Sequence, residues 1–471
     1  MTAPTIFWFR NDLRLSDNPG FSQAVAEGTV MPIFISEEES AEAFKMGAAS
    51  RWWLHHSLEK LDRSLQHKLN FYRGNSLEVF KKLLQHSPIK AVYWSRSYEP
   101  LAFQQEQAVA QLLEQKNIPF QSFNASLLWE PCEVLKKDGK PYQVFTPFYV
   151  EALSRSAAIR KPLPAPTSMK LCRDQSNLDD LNSLALLSKI PWHHKLHSCW
   201  KVGEQEAQEQ LKIFLQNGLE GYQQHRDFPA FSATSRLSPH LHFGEISPHQ
   251  VRQTTQQAAL KTVKKDADAF LREVAWREFS YYQLFHFPEL PWKNFQSKFD
   301  PFPWRHNADL LRAWKEGKTG YPIIDAGMRE LWQTGTMHNR VRMIVASFLT
   351  KNLLIDWRDG AAWFWDTLVD ADLASNGLNW QWVAGCGVDA APYFRIFNPV
   401  LQGKKFDAEG EYTRRFLPEL SQLPKKFLFT PWEASEAILK EAGIILGKTY
   451  PFPIVDLQQS REEALQAYHL L

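Results

Sequence analysis

The sequence predicts an α/β domain followed by an all-helical domain, and three observations predict it. The first 130 residues alternate short, continuous hydrophobic runs with amphipathic stretches. Beyond residue 200 nearly every segment has helical periodicity, with few β-branched runs. Between them the chain is irregular, and "IRKPLPAPTSMK" gathers residues that break helices and mark connectors. The expected division is therefore an α/β domain over 1–130, a linker over 131–200 and a helical domain over 201–471.

Taken in order, the strands are "TIFWF", "TVMPIFI", "NFYRG", "AVYWS" and "PFQSF". Runs that stay apolar without alternating belong to strands buried on both faces, which means a parallel sheet covered by helices. The intervening helices are "ASRWWLHHSLEKLDRSLQHK", a segment from Ser76 to Gln85 and one from Gln104 to Gln115. Ligands of such sheets bind beyond the carboxyl ends of the strands. The first strand, however, runs into "RNDLRLSDN" rather than G-x-G-x-x-G, which excludes a dinucleotide bound in the standard mode. No internal repeat is present.

A chain of 471 residues is too long for one core, and 44% hydrophobic with 23% charged residues is an ordinary globular composition. No run reaches the roughly 18 apolar residues of a membrane span. The start, "MTAPTIFWFRNDLRL", lacks the pattern of a secretory leader, so the expected location is cytoplasmic. Cys132, Cys172, Cys199 and Cys386 have no C-x-x-C spacing, so neither a metal site nor a disulfide framework is expected. A net charge of +2 leaves a polyanionic partner open, because nucleic-acid binding depends on local patches. The 18 Trp exceed what burial ordinarily requires, and indoles stack on flat ligands and bases.

Three stretches carry the polar residues of interest. In 221–247, Ser238 fits an N-cap and Pro239 the first helical position, so Thr234, Ser235 and Ser238 crowd hydroxyls at a helix start suited to phosphate or simply to capping. In "TMHNRVRMIVASFL", Val341, Ile344, Val345, Phe348 and Leu349 make a core stripe, while Asn339 and Met343 stand on the other face beside Arg340 and Arg342. In 363–407, Asp370 and Asp372 precede Asn376, Trp380, Trp382, Arg395, Gln402 and Lys404. Paired acids there suit acid/base work or an ion-paired loop, with Arg340 and Arg342 as available partners.

Nine strings, in this order, resemble the DNA photolyase and cryptochrome family: "WFRNDLRLSDN", "GKPYQVFTPF", "TSRLSPHLHFGEIS", "WREF", "GKTGYPIIDAGMREL", "MHNRVRMIVASFLTKNLLIDWR", "DADLASN", "NWQW" and "DAAPYFRIFNPVLQGKKFD". The resemblance is greatest to bacterial cyclobutane pyrimidine dimer photolyases. It implies a Rossmann-like antenna domain with helices on both faces and an all-α C-terminal domain holding a folded FAD, active as FADH⁻. Tyr222, Thr234, Ser235, Arg236, Leu237 and Ser238 match its phosphate and ribityl contacts, joined by Phe270. Asp370, Ala371 and Asp372 match the loop along the ring, Arg342 the partner of Asp370, and Asn376 the amide beside flavin N5. Trp304, Trp357 and Trp380 match a chain of indoles that passes electrons to the oxidised, excited flavin.

For the substrate, the resemblance implies a pyrimidine dimer flipped out of UV-damaged DNA. Glu273 matches the hydrogen-bond partner of its base edge and Trp276 and Trp382 its apolar walls. Arg226, Arg277, Arg340, Arg395, Gln402 and Lys404 match the residues that grip flanking phosphates. Members that reverse (6-4) photoproducts carry His where this chain has Asn339 and Met343, and His338 is expected to point about 100° away on the helix. Cyclobutane dimers are therefore the expected lesion. The protein is expected to act as a monomer, without membrane or metal. A second, antenna chromophore is expected, folate or deazaflavin, although "ELPWKN" and "EPLAFQQEQ" lack the family's folate pairs. Thr336 also departs from the family, which often has an aromatic there. The rivals are a signalling cryptochrome, set against which is the short stretch beyond "YPFPIVDLQQSREEALQAY", and a plain flavin electron carrier.

Overall fold

The structure, a computed structural model, describes residues 3–37, 45–86, 88–177, 179–259 and 264–471. By packing, the chain separates into two compact units, Met1–Glu220 with Ser235–Pro288, and Gly221–Thr234 with Glu289–Leu471.

In the first unit the expected parallel sheet is present. Its strands are β1 (Thr5–Phe9), β2 (Thr29–Ser36), β3 (Asn70–Arg73), β4 (Ala91–Ser95) and β5 (Phe120–Phe123), in the order β3-β2-β1-β4-β5. Helices α1 (Pro19–Ala26), α2 (Ala48–Ser64), α3 (Ser76–His86) and α4 (Pro100–Gln115) intervene. The central strand shows why its run is apolar from Ile6 to Phe9. Ile6 and Trp8 pack with residues of α3 and α4, Trp8 meeting Phe80 edge-on at 5.3 Å, while Phe7 turns the other way onto Phe21 of α1 at 5.4 Å. Both faces are thus covered, and Thr5, the one polar residue of β1, stands at its start and is buried with the rest.

The stretch 131–200, expected to be a linker, is more structured than its composition suggests. It contains helix α5 (Phe145–Ser154), and a two-residue strand β6 (Lys170–Leu171) extends the sheet by pairing with Thr29 and Val30. Such short pairing has no periodicity to reveal it. The helices Glu204–Asn217, Pro248–Ala259 and Lys264–His286, assigned from composition to the helical domain, pack within the first unit.

The second unit is helical around one large core that includes Trp314, Trp357, Trp380, Phe364 and the predicted stripe Val341, Ile344, Val345, Phe348 and Leu349. "GKTGYPIIDAG" has a structural use here. Buried Asp325 accepts from the N–H groups of Thr319 (2.7 Å) and Gly320 (3.0 Å) and from the Tyr450 hydroxyl (2.7 Å), tying the loop to the following helix, Pro322–Thr334.

Candidate functional site

In the first unit, the loop 10–18 leaves β1 where a ligand of such a sheet would sit, yet its charges are turned inward. The Arg14 guanidinium donates to the carbonyls of Gly244 (2.8 Å), Asp17 (2.7 Å) and Ala125 (2.7 Å). Asp17, fully buried, is held by Arg160 and Ser247, and Asp12 accepts from Ser95 at 2.5 Å and Asn18 at 2.9 Å. Burial alone would raise the Asp17 pKa, but Arg160, Arg14 and Ser247 together hold it below the usual value. Gly244 is required, because its φ is +66° and a Cβ would lie 2.2 Å from the Asn11 carbonyl. This motif is a structural knot.

The next predicted group in this unit begins at Ser235. Helix Ser238–His242 has Leu237, not Ser238, at its N-cap, so Ser238 stands one place further into the helix than expected. Arg236 takes a left-handed φ of +55°, and its guanidinium donates to the Cys199 carbonyl (3.0 Å) while lying 4.2 Å over the Trp200 ring. Its backbone, rather than its charge, therefore shapes the turn. The Ser235 hydroxyl accepts from Leu237 N at 3.4 Å. Phe270 is buried against Phe214, rings 4.6 Å apart.

Helix Lys264–His286 carries Glu273 and Trp276 one turn apart, both half-buried. Trp276 lies parallel to Phe145, centroids 3.7 Å apart, and Arg272 covers Phe145 at 5.0 Å. One face of the indole is thereby fixed by a residue of α5 that sequence reasoning quoted in "VFTPF" without giving it a role. Arg277, expected at phosphates, instead donates to the carbonyls of Ser126 (2.9 Å) and Leu241 (3.4 Å) and lies over Tyr281. Its neighbour Glu278 is fully buried; burial pushes its pKa up to about 7, against the opposing pull of Arg277.

In the second unit, helix Asn339–Ser347 gives the two arginines different partners. Arg342 bridges both oxygens of Asp370 (3.1 and 2.9 Å) and donates to Met337 O (2.7 Å) and the Thr336 hydroxyl (3.4 Å). Thr336 thus helps to aim the arginine. Arg340 pairs with Asp227 (2.6 Å) and covers the Phe406 ring at 4.5 Å, so it serves neither acid of the 370–372 loop. Asn339 is exposed and Met343 half-buried, as their face predicts. His338 is not on the helix as expected. It is the N-cap, its Nδ1 accepting from Arg340 N at 3.2 Å, and burial pushes its pKa down to about 4 against the pull of Asp227.

Asp372 caps the helix Leu373–Ala384 through Ser375 N (2.8 Å), and Ala371 is buried beside it. In the first turn, Asn376 donates its side-chain N–H to Ala361 O at 3.1 Å, which fixes the amide plane and leaves its oxygen available as an acceptor. Tyr222 is buried under Arg226, 5.5 Å from its ring, and Thr234 closes this unit's first segment. Trp357 and Trp380 are buried and Trp304 is half-buried, with Trp357 Nε1 donating to Asn294 Oδ1 at 3.0 Å. Trp382 and Gln402 are half-buried, and Arg395 and Lys404 are exposed cations. Sequence reasoning missed Asp227, Phe145 and the cap at His338. Only Asp227 had a signal, as the acid beside Arg226 in a string already singled out.

The donor set fits a flavin nucleotide in each unit taken separately. The first supplies a tight turn of hydroxyl residues at a helix start, the second a paired arginine and an amide with its plane fixed. Among the described residues no helix is long and apolar enough to cross a membrane, and no group of three or more His, Cys, Asp or Glu could hold a metal ion.

Comparison with known proteins shows the family. The family model for the FAD binding domain of DNA photolyase matches residues 270–470, and the DNA photolyase model matches 5–167. A deoxyribodipyrimidine photo-lyase of Agrobacterium fabrum is 48% identical over 99% of this chain and 98% of its own length. Cryptochrome-2 of Arabidopsis thaliana is 38% identical over 98% of this chain and 78% of its own. The crystal structure of a bacterial class III photolyase from Agrobacterium tumefaciens superimposes with a TM-score of 0.96 at 48% identity, covering 100% of this chain and 98% of that one. The chain belongs to the DNA photolyase and cryptochrome family, as an enzyme of the photo-lyase class with an FAD-binding domain.

Proposed function

We propose that this enzyme splits cyclobutane pyrimidine dimers in UV-damaged DNA by light. The observation that carries the choice of lesion is the helix Asn339–Ser347, which presents a neutral amide and a thioether and uses the adjoining imidazole, His338, as a half-buried cap. Opening a cyclobutane needs an electron lent and returned, with no essential proton donor, and a soft apolar Met beside a neutral Asn suffices. Reduced FAD, when bound, supplies that photoexcited electron and takes it back, so the reaction is a lyase without net redox change.

The protein's own groups have separate duties. On the first unit, Ser235, Arg236, Leu237 and Ser238 hold phosphate through the turn and its hydroxyls, with Phe270 packing beside them. On the second, Tyr222 and Thr234 add contacts, while Asp370, Ala371 and Asp372 line the ring. Arg342, fixed by Asp370, keeps positive charge near the ring and favours its reduced anion. Asn376 offers its oxygen to a ring N–H. Glu273 accepts from the lesion's base edge, and Trp276 and Trp382 stack on it, at about 1–3 kcal/mol per base. Arg226, Arg340, Arg395, Gln402 and Lys404 grip phosphates, Arg340 after release from Asp227. Trp380, Trp357 and Trp304 refill the oxidised cofactor with electrons. A folate or deazaflavin antenna, a monomeric state and a cytoplasmic location complete the proposal.

Illuminating the reduced protein with an oligonucleotide carrying a thymine dimer tests this. Loss of dimers only in the light is expected. Binding without loss would favour a photosensor, the reading that the 38% identity to a plant cryptochrome keeps in view. A (6-4) oligonucleotide repaired at a similar rate would overturn the assignment of Asn339 and Met343.

A further inference from the structure

We infer that Gly360 is a positioning residue for Trp380, the indole expected to donate first to the photo-oxidised cofactor. Without this glycine, electron supply to the cofactor falls while dimer splitting by protein already reduced is unaffected. The inference rests on the indole chain proposed above.

Gly360 lies in the interior of helix Trp357–Thr367, three residues after Trp357 and so on the same face. Glycine inside a helix is unfavourable relative to alanine, which calls for a compensating reason. The reason is contact: a Cβ at Gly360 would stand 2.2 Å from Trp380 Cη2, 2.5 Å from Cζ3 and 2.6 Å from Leu349 Cδ2. The outer edge of the indole therefore rests directly on this helix's backbone, one turn from Trp357.

Trp380 has nowhere to retreat. Phe364 meets it edge-on at 5.0 Å, and Trp314 stands 6.2 Å away, pinned by a hydrogen bond from Nε1 to Val345 O at 3.0 Å. Trp380 is 3% exposed, Trp314 and Leu349 0%. Cores packed this tightly do not absorb an extra methyl without displacing rings. The electron path is sensitive to that displacement. One electron leaves Trp380 for the oxidised cofactor, Trp357 refills Trp380, Trp304 refills Trp357, and a soluble thiol reductant, itself oxidised, refills Trp304.

The test is Gly360→Ala, measured in three ways. Light-driven reduction of the oxidised holoenzyme by dithiothreitol is expected to slow several-fold. Dimer repair by protein first reduced chemically with dithionite is expected to keep its wild-type yield. The near-ultraviolet circular dichroism of flavin-free protein is expected to change, since the indole moves whether or not cofactor is present. Leu349→Ala in the Gly360→Ala background makes room for the displaced ring and is expected to restore part of the photoreduction rate; if the single variant does not fold, this double variant is compared with Leu349→Ala alone on the same readouts. Wild-type photoreduction with unchanged dichroism overturns the inference, as does an equal loss of photoreduction and pre-reduced repair. If Trp380→Phe photoreduces normally, the indole chain itself is wrong, a failure separate from that of Gly360.

Discussion

The loops 10–18 and 368–373 are both built from acids beside arginines, but they use them in opposite ways. In the first, Asp12, Arg14 and Asp17 are at most 1% exposed, and Asp12 and Asp17 both accept hydrogen bonds from groups of the protein. In the second, Asp370 is paired with an arginine whose side chain keeps 26% exposure, and the adjoining helix carries an amide with its oxygen available. A charge pair closed on all sides fixes a fold, whereas one left partly open can face a ligand. The same residue types thus yield a knot in one unit and a candidate cofactor contact in the other, and burial makes the difference.

Breaking the knot has the largest expected effect. Asp17→Ala removes the buried carboxylate that pairs with Arg160 and lies beside Arg14, and loss of one partner of a buried pair costs about 3–5 kcal/mol. Chemical denaturation should show it; a loss no larger than that of a surface substitution would mean that the loop is not closed as described.

Opening the other side next, Trp276→Ala should weaken binding of dimer-containing DNA by about 1–3 kcal/mol, the value of one stacked base, with little change for undamaged duplex. Glu273→Ala should slow splitting more than it weakens binding. Equal affinity of wild type and Trp276→Ala for damaged DNA would remove that indole from the lesion site.

A third expectation concerns Glu278, next to the knot's side of the comparison because it too is wholly enclosed. Its folded pKa of about 7 lies above its ordinary value of 4.5, so the folded state holds the proton more tightly than the unfolded chain. Its contribution to stability is therefore greatest below about pH 4.5, declines as pH rises through this window and is constant above about pH 7. Glu278→Gln should flatten that part of the stability profile; an unchanged slope would show that the carboxyl is ionised throughout.

The smallest effect sharpens the open side. Arg340 and Asp227 form a half-exposed pair, worth about 0–1 kcal/mol to stability. Asp227→Asn should barely change the melting temperature, yet raise affinity for DNA by freeing the arginine. Arg340→Ala should reduce the salt dependence of DNA binding by about one phosphate contact. A salt dependence equal to wild type would show that the arginine stays with Asp227.

The sheet was legible in the sequence alone, because a strand buried on both faces carries a continuous apolar run, as β1 does from Ile6 to Phe9. So was the core stripe of helix Asn339–Ser347, because a helix buries one face at a fixed period, and so was the family, through nine strings no single spacing would have revealed. Long-range packing alone settles which arginine takes Asp370, that Arg236 and Arg277 turn to carbonyls, that His338 is a cap and that Phe145 backs Trp276. Periodicity reports which face of an element is buried, a local property. The partner waiting on the other side comes from residues far along the chain, 131 places between Phe145 and Trp276 and 151 between Ser126 and Arg277, and its identity is set by packing alone.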